Sequence, residues 1–162
     1  MNADGKVETG CAIVTGAAGG IGLAAARRLA SQGFAVFMVD RDEAGLRAAL
    51  EQVKAAGGKA TMHVADVTST DQVNAAVKAA AEFGPIRALV NVAGGSGPKP
   101  MRDIEGIEDS DWDFVIDSNL KSVFLFCRAV MPHMRAQRYG RIVNTSSSYS
   151  RGRKGPVTTQ GT

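Results

Sequence analysis

The stretch "TGAAGGIG", Thr15 to Gly22, decides how the rest of the chain is read. It lies between a short apolar run, "CAIVT" (Cys11–Thr15), and a run of helix formers, "GLAAARRLASQG" (Gly22–Gly33). A strand that turns through glycines into a helix leaves the first helical N–H groups unbonded, with the positive end of the helix dipole behind them. That combination attracts phosphate. Gly16 permits the tight turn, and Gly20 and Gly22 allow backbone to come close to the anion. A glycine-rich turn with no function is the plainer alternative, but the strand–turn–helix setting favours a dinucleotide pyrophosphate. Thr15, Gly16, Gly19, Gly20, Ile21 and Gly22 are therefore the first candidate binding residues.

Outward from this turn, apolar runs and helical patterns alternate. "FAVFMVD" (Phe34–Asp40) is apolar throughout, as a strand covered on both faces should be. Residues 43–56 form a helix with Ala44, Leu46, Leu50 and Val53 inward, stopped at Gly57 and Gly58. "ATMHVADV" (Ala60–Val67) is a third strand, and Ser69 or Thr70 caps a helix that runs to Phe83 and ends at Gly84-Pro85. "IRALVNVAG" (Ile86–Gly94) is a fourth strand, followed by a Gly/Pro-rich loop from Gly95 to Pro100. Ser110 caps a long helical stretch, residues 111–138, which Pro132 should kink or divide. "RIVNTSS" (Arg141–Ser147) is a fifth strand. The alternation predicts an α/β fold, a Rossmann-like doubly wound parallel sheet with five strands present. A single domain over residues 1–162 is expected, with residues 1–10 disordered.

Composition narrows the function. The chain has 162 residues, 44% hydrophobic and 22% charged, with a formal net charge of +3. Its basic residues are scattered, and the "RGRK" run (Arg151–Lys154) has no aromatic platform beside it, which argues against nucleic acid. Cys11 and Cys127 stand alone, as do His63 and His133, so neither a metal site nor a disulfide framework is expected. Met1 to Gly10 has no apolar core of a signal peptide, and no membrane-length apolar stretch is present, so a cytoplasmic protein is expected.

Asp40 closes the second strand 18 residues beyond Gly22. A carboxylate there accepts hydrogen bonds from both ribose hydroxyls of an adenosine and repels a 2′-phosphate, which favours NAD over NADP. Arg41 beside it could pair with a phosphate, but reads more simply as a solvated charge at a strand end.

Five segments then resemble the short-chain dehydrogenase/reductase family: "TGAAGGIG", "ADV" (Ala65–Val67), "NVAG" (Asn91–Gly94), "DSNLKSVF" (Asp117–Phe124) and "GRIVNTSS" (Gly140–Ser147). They span nearly the whole chain in the family's order and spacing; Val92 replaces the family's usual Asn. The resemblance implies that Asp66 and Val67 contact adenine, and that Asn91, Ala93 and Gly94 support and line the cofactor site. NADP-using members often carry a basic residue where this chain has Gly19, which again favours NAD. The implied activity is NAD(P)-dependent hydride transfer between nicotinamide and a secondary alcohol or ketone. Ser147 would hydrogen-bond the substrate oxygen and Asn119 would hold a proton-relaying water. A homodimer or homotetramer is implied for the full-length form.

The family's acid/base pair is a tyrosine with a lysine four residues on, because a phenol needs nearby positive charge to work at neutral pH. No lysine in this sequence has a tyrosine four residues before it. Tyr149 with Arg153 mimics the spacing, but Gly152, Gly155 and Pro156 argue against a helix there. The chain therefore reads as stopping short of the pair, with the C-terminal strands missing. The fifth strand becomes a sheet edge and poor solubility is expected. A non-catalytic dinucleotide binder or sensor is the alternative.

Overall fold

Apolar runs of four to six residues alternate with helices along the chain. Such runs cannot face water on either side, and parallel pairing with helical crossovers covers both. The computed structural model describes residues 9–97 and 104–147. Its sheet contains β1 (Cys11–Thr15), β2 (Ala35–Asp40), β3 (Ala60–Val64), β4 (Ile86–Asn91) and β5 (Arg141–Asn144). All pairings are parallel and the strand order is β3-β2-β1-β4-β5. The helices are α1 (Gly20–Ser31), α2 (Glu43–Ala55), α3 (Thr70–Phe83), α4 (Asp109–Ile116) and α5 (Ser122–Ala136). The expected doubly wound α/β sheet is present.

Successive strand residues point to opposite faces, so the core divides in two. Ala12, Val14, Val36 and Met38 pack under α1 and α2 with Leu46, Leu50 and Val53. Cys11, Ile13, Phe37, Val39 and Leu89 pack under α3 and α5 with Val77, Leu125, Phe126 and Val130. Both cysteines are free; Cys11 is buried and Cys127 half-buried. His63 stacks on Phe37 at 5.9 Å between ring centroids, a packing role.

Several boundaries differ from the expected ones. The chain leaves the β3 ladder after Val64, because Asp66 turns it: Asp66 Oδ1 accepts from the Thr68 N–H at 2.8 Å and the Thr68 hydroxyl at 2.7 Å. β4 likewise ends at Asn91, and β5 at Asn144. The long helical stretch begins at Asp109 rather than after Ser110. Glu108 is its N-cap, and the Asp111 carboxylate accepts the Glu108 N–H at 3.2 Å. A π-helical turn, Asp117–Lys121, joins α4 to α5. Pro132 does not divide α5, which runs through it. Pro132 and Arg128, whose carbonyl loses its N–H partner, are both exposed residues.

β5 is at one edge of the described sheet, with Val143 55% exposed. The disorder expected for residues 1–10 falls largely outside the described residues, as do Tyr149 and the Arg151–Lys154 run. Among the described residues, no helix is long and apolar enough to cross a membrane.

Candidate cofactor-binding site

The strand order reverses between β1 and β4, and a doubly wound sheet opens a crevice outside the carboxyl ends of its strands at that point. A cleft of about 670 Å³ opens here. Gly16, Gly19, Gly20 and Ile21 form one wall, from the turn between β1 and α1. Asp40 and Arg41 close the end at β2, and Asp66 and Val67 close it beyond β3. Ala93 and Gly94 form the floor beyond β4. Ten expected cofactor residues thus meet in one cleft.

Three others lie beneath it. Thr15 is buried, and its Oγ1 accepts the N–H groups of Val92 and Ala93, each at 3.1 Å. That bond fastens the floor to β1. Gly22 is buried in α1, where a Cβ would strike the Gly16 carbonyl. Gly16 has φ +66°, and a Cβ on it would sit 2.8 Å from the Ala93 nitrogen, so both glycines are required by close backbone approach. Asn91 donates to Asn144 Oδ1 at 2.9 Å, tying β4 to β5.

Asp40 is tied to the glycine turn. Its Oδ2 accepts the Ala18 N–H at 3.0 Å and its Oδ1 accepts the Asp42 N–H at 3.1 Å. Each carboxylate oxygen has a second lone pair for a ligand hydroxyl. The two N–H bonds fix the direction in which those lone pairs point. The Asp66 carboxyl is held below the usual carboxylate range, first by the Thr68 N–H and hydroxyl and then by nearby Arg41, against the effect of burial. It stays an acceptor at neutral pH.

Asn119 stands in the π-turn beside the cleft, and its side chain clasps the loop after β4. Oδ1 accepts the Gly95 N–H at 3.1 Å, while Nδ2 donates to the Gly95 carbonyl at 2.7 Å and the Val115 carbonyl at 2.9 Å. Ser118 and Ser122 also bond to carbonyls one turn back, at 3.4 and 2.6 Å. Such side chains compete with the helical ladder, which accounts for the wider turn. Ser147 follows β5 by three residues and is exposed.

Sequence reasoning missed Phe114, Asp117, Ser118 and Thr68 as cleft-lining side chains. Asp117 and Ser118 are in the quoted "DSNLKSVF"; Phe114 had no motif to mark it. Among the described residues, no cluster of His, Cys, Asp or Glu could hold a metal ion.

The comparisons agree with this fold. A short-chain reductase protein, NovJ, of Streptomyces niveus is 44% identical over 145 residues, 89% of this chain and 54% of that protein. The 3-oxoacyl-[acyl-carrier-protein] reductase FabG of Thermotoga maritima is 37% identical over 150 residues, 91% of this chain and 57% of its own length. Among solved structures, an actinorhodin polyketide ketoreductase with NADPH superposes with a TM-score of 0.83 at 37% identity, covering 91% of this chain and 56% of the other. A metagenomic short-chain oxidoreductase in complex with NADP gives 0.80 at 36% identity, covering 92% and 66%. The chain spans about half the length of the curated relatives it matches. The sequence profile of the short chain dehydrogenase family fits residues 10–158, and the chain belongs to that family.

Proposed function

We propose that this chain binds a nicotinamide dinucleotide along the cleft and serves hydride transfer between a secondary alcohol and a ketone. One observation carries the reading: the glycine turn, Asp40 and Asp66–Val67 line a single cleft at the reversal of strand order. The residues fit the group. Gly19 and Gly20 leave open space where a Cβ would stand, and the first turn of α1 presents unbonded N–H groups to a pyrophosphate. Asp40 would receive the adenosine ribose hydroxyls, and Asp66 with Val67 would meet the adenine. When bound, the nicotinamide supplies the hydride acceptor or donor. Ser147 would hydrogen-bond the substrate oxygen, and Asn119 would hold the water that relays a proton.

The reading includes a preference for NAD. The Asp40 carboxylate would face a 2′-phosphate at close range, whereas Arg41 is exposed and Gly19 adds no cation. Two of the solved relatives carry NADPH or NADP, so the preference is this chain's own and rests on Asp40. Titration of the chain with NADH and NADPH tests both claims. Tighter NADH binding, with the preference reduced in Asp40→Ala, is expected; equal or tighter NADPH binding refutes the preference. Failure to bind either refutes the site. Leu120, Phe124 and Met131, exposed along the π-turn and α5, support a homodimer or homotetramer, which sedimentation would test. A cytoplasmic setting completes the reading, and localisation of a tagged chain tests it.

A further inference from the structure

Arg87 is the second residue of β4 and Arg141 the first of β5, and the register pairs Arg141 with Ala88. The two cations are therefore diagonal neighbours on adjacent strands, an arrangement that Coulomb repulsion disfavours. Tyr139 holds both: the Arg87 guanidinium carbon lies 5.5 Å from its ring centroid and that of Arg141 4.9 Å. Each contact sets a cation against the electron-rich face of the ring. The Arg87 stem packs against Gly10, where a Cβ would sit 2.6 Å from its Cγ. Counter-charge is scarce here. Asp117 is the last acidic residue of the chain, so every charged residue after it is Lys or Arg. Among the described residues, Arg141 forms no ion pair; it is exposed, and its Nη1 donates to the Gly140 carbonyl at 3.0 Å. A planar fork already held by stacking loses little freedom on meeting a phosphoryl group, and it can engage two of the oxygens at once. A phosphoryl dianion also balances both cations together, which a single carboxylate does not.

We infer that Arg87, Tyr139 and Arg141 form an anion site for a phosphorylated ligand, apart from the cleft, which opens beyond Asn91 at the other end of the same strands. The inference does not depend on the dinucleotide reading. Inorganic pyrophosphate is the probe, added at constant ionic strength to the isotopically labelled 162-residue chain and followed by amide chemical shifts. The amides of Ala88, Gly140 and Arg141 should shift and saturate together. Gly19 and Gly20 report any binding at the glycine turn, so the two places are read separately. Arg141→Gln should weaken binding at the β4–β5 end ~10-fold or more and leave the Gly19 and Gly20 response as in wild type. Arg141→Lys keeps the charge and loses the fork, and should weaken binding as well. Arg141 is exposed, so both variants leave the core intact, and an unchanged spectrum elsewhere verifies it. ADP is titrated in parallel: saturation by either ligand supports the site, and the tighter of the two shows whether its phosphate arrives on a nucleotide or as a free oligophosphate. Shifts confined to the glycine turn, a response that never saturates, or Arg141→Lys binding as tightly as wild type would each overturn the inference.

Discussion

Replacing Thr15 by valine separates the hydroxyl's contribution from that of the side chain's bulk. Valine is nearly the same shape, so the buried space beneath the cleft stays filled. What disappears is one oxygen that serves two donors, the Val92 and Ala93 N–H groups, each at 3.1 Å. An unsatisfied buried donor costs about 1–3 kcal/mol; both residues are half-buried, so the low end applies to each and the sum is about 2 kcal/mol. For a chain of this size that lowers the melting temperature by roughly 4–8 °C. Thr15→Ser is the control. It keeps the acceptor and loses one buried methyl, which costs about 1 kcal/mol. The order wild type, then serine, then valine should appear in thermal and urea unfolding. The NADH dissociation constant should rise in the valine variant alone, because Ala93 and Gly94 form the floor of the cleft. A valine variant as stable as the serine one would refute the assignment of the hydroxyl as the link between β1 and the floor.

Arg138 has φ +52° where α5 ends, and the Tyr139 N–H reaches back to the Met134 carbonyl. Arg138→Gly should therefore stabilise the chain by about 0.5–1 kcal/mol in urea unfolding. Gly94→Ala should push a methyl into the Asn119 side-chain amide, break the clasp on Gly95 and weaken NADH binding; an unchanged dissociation constant would speak against the clasp. Burial pushes the Cys11 thiol from 9.0 up to about 12, with Lys59 opposing it. The unfolded chain thus loses that proton first, so stability should fall as pH rises from 9 towards 12. Cys11→Ala should show a shallower fall over that window than wild type.

The elements that create the cleft were legible because they follow one-dimensional patterns. Runs such as "FAVFMVD" declare a strand covered on both faces, and Gly57 and Gly84 punctuate the helices before β3 and β4. Asp40 could be placed at the end of a strand, and so beside the glycine turn, from spacing alone. Details set by side chains competing with backbone were not legible. Asp66 ends the ladder through bonds to Thr68, and Asn119, Ser118 and Ser122 widen a helical turn into a π-turn, without any change in hydrophobic period. Phe114 was overlooked for a related reason: in a helical pattern a cleft-lining phenylalanine and a core one look alike.

The register of the central pair has a kinetic consequence. Cys11 pairs with Ile86 and Val14 with Val90, so β1 must find β4 across most of the intervening chain, while β2 and β3 are added over shorter distances. Loop-closure entropy grows with separation, and folding slows as contacts become less local. Helices α1 to α3 can form early from neighbouring residues, but the floor of the cleft forms only when β4 docks. On a ribosome, nascent chain that has emerged only as far as Phe83 would have β1, β2 and β3 available and no cleft at all.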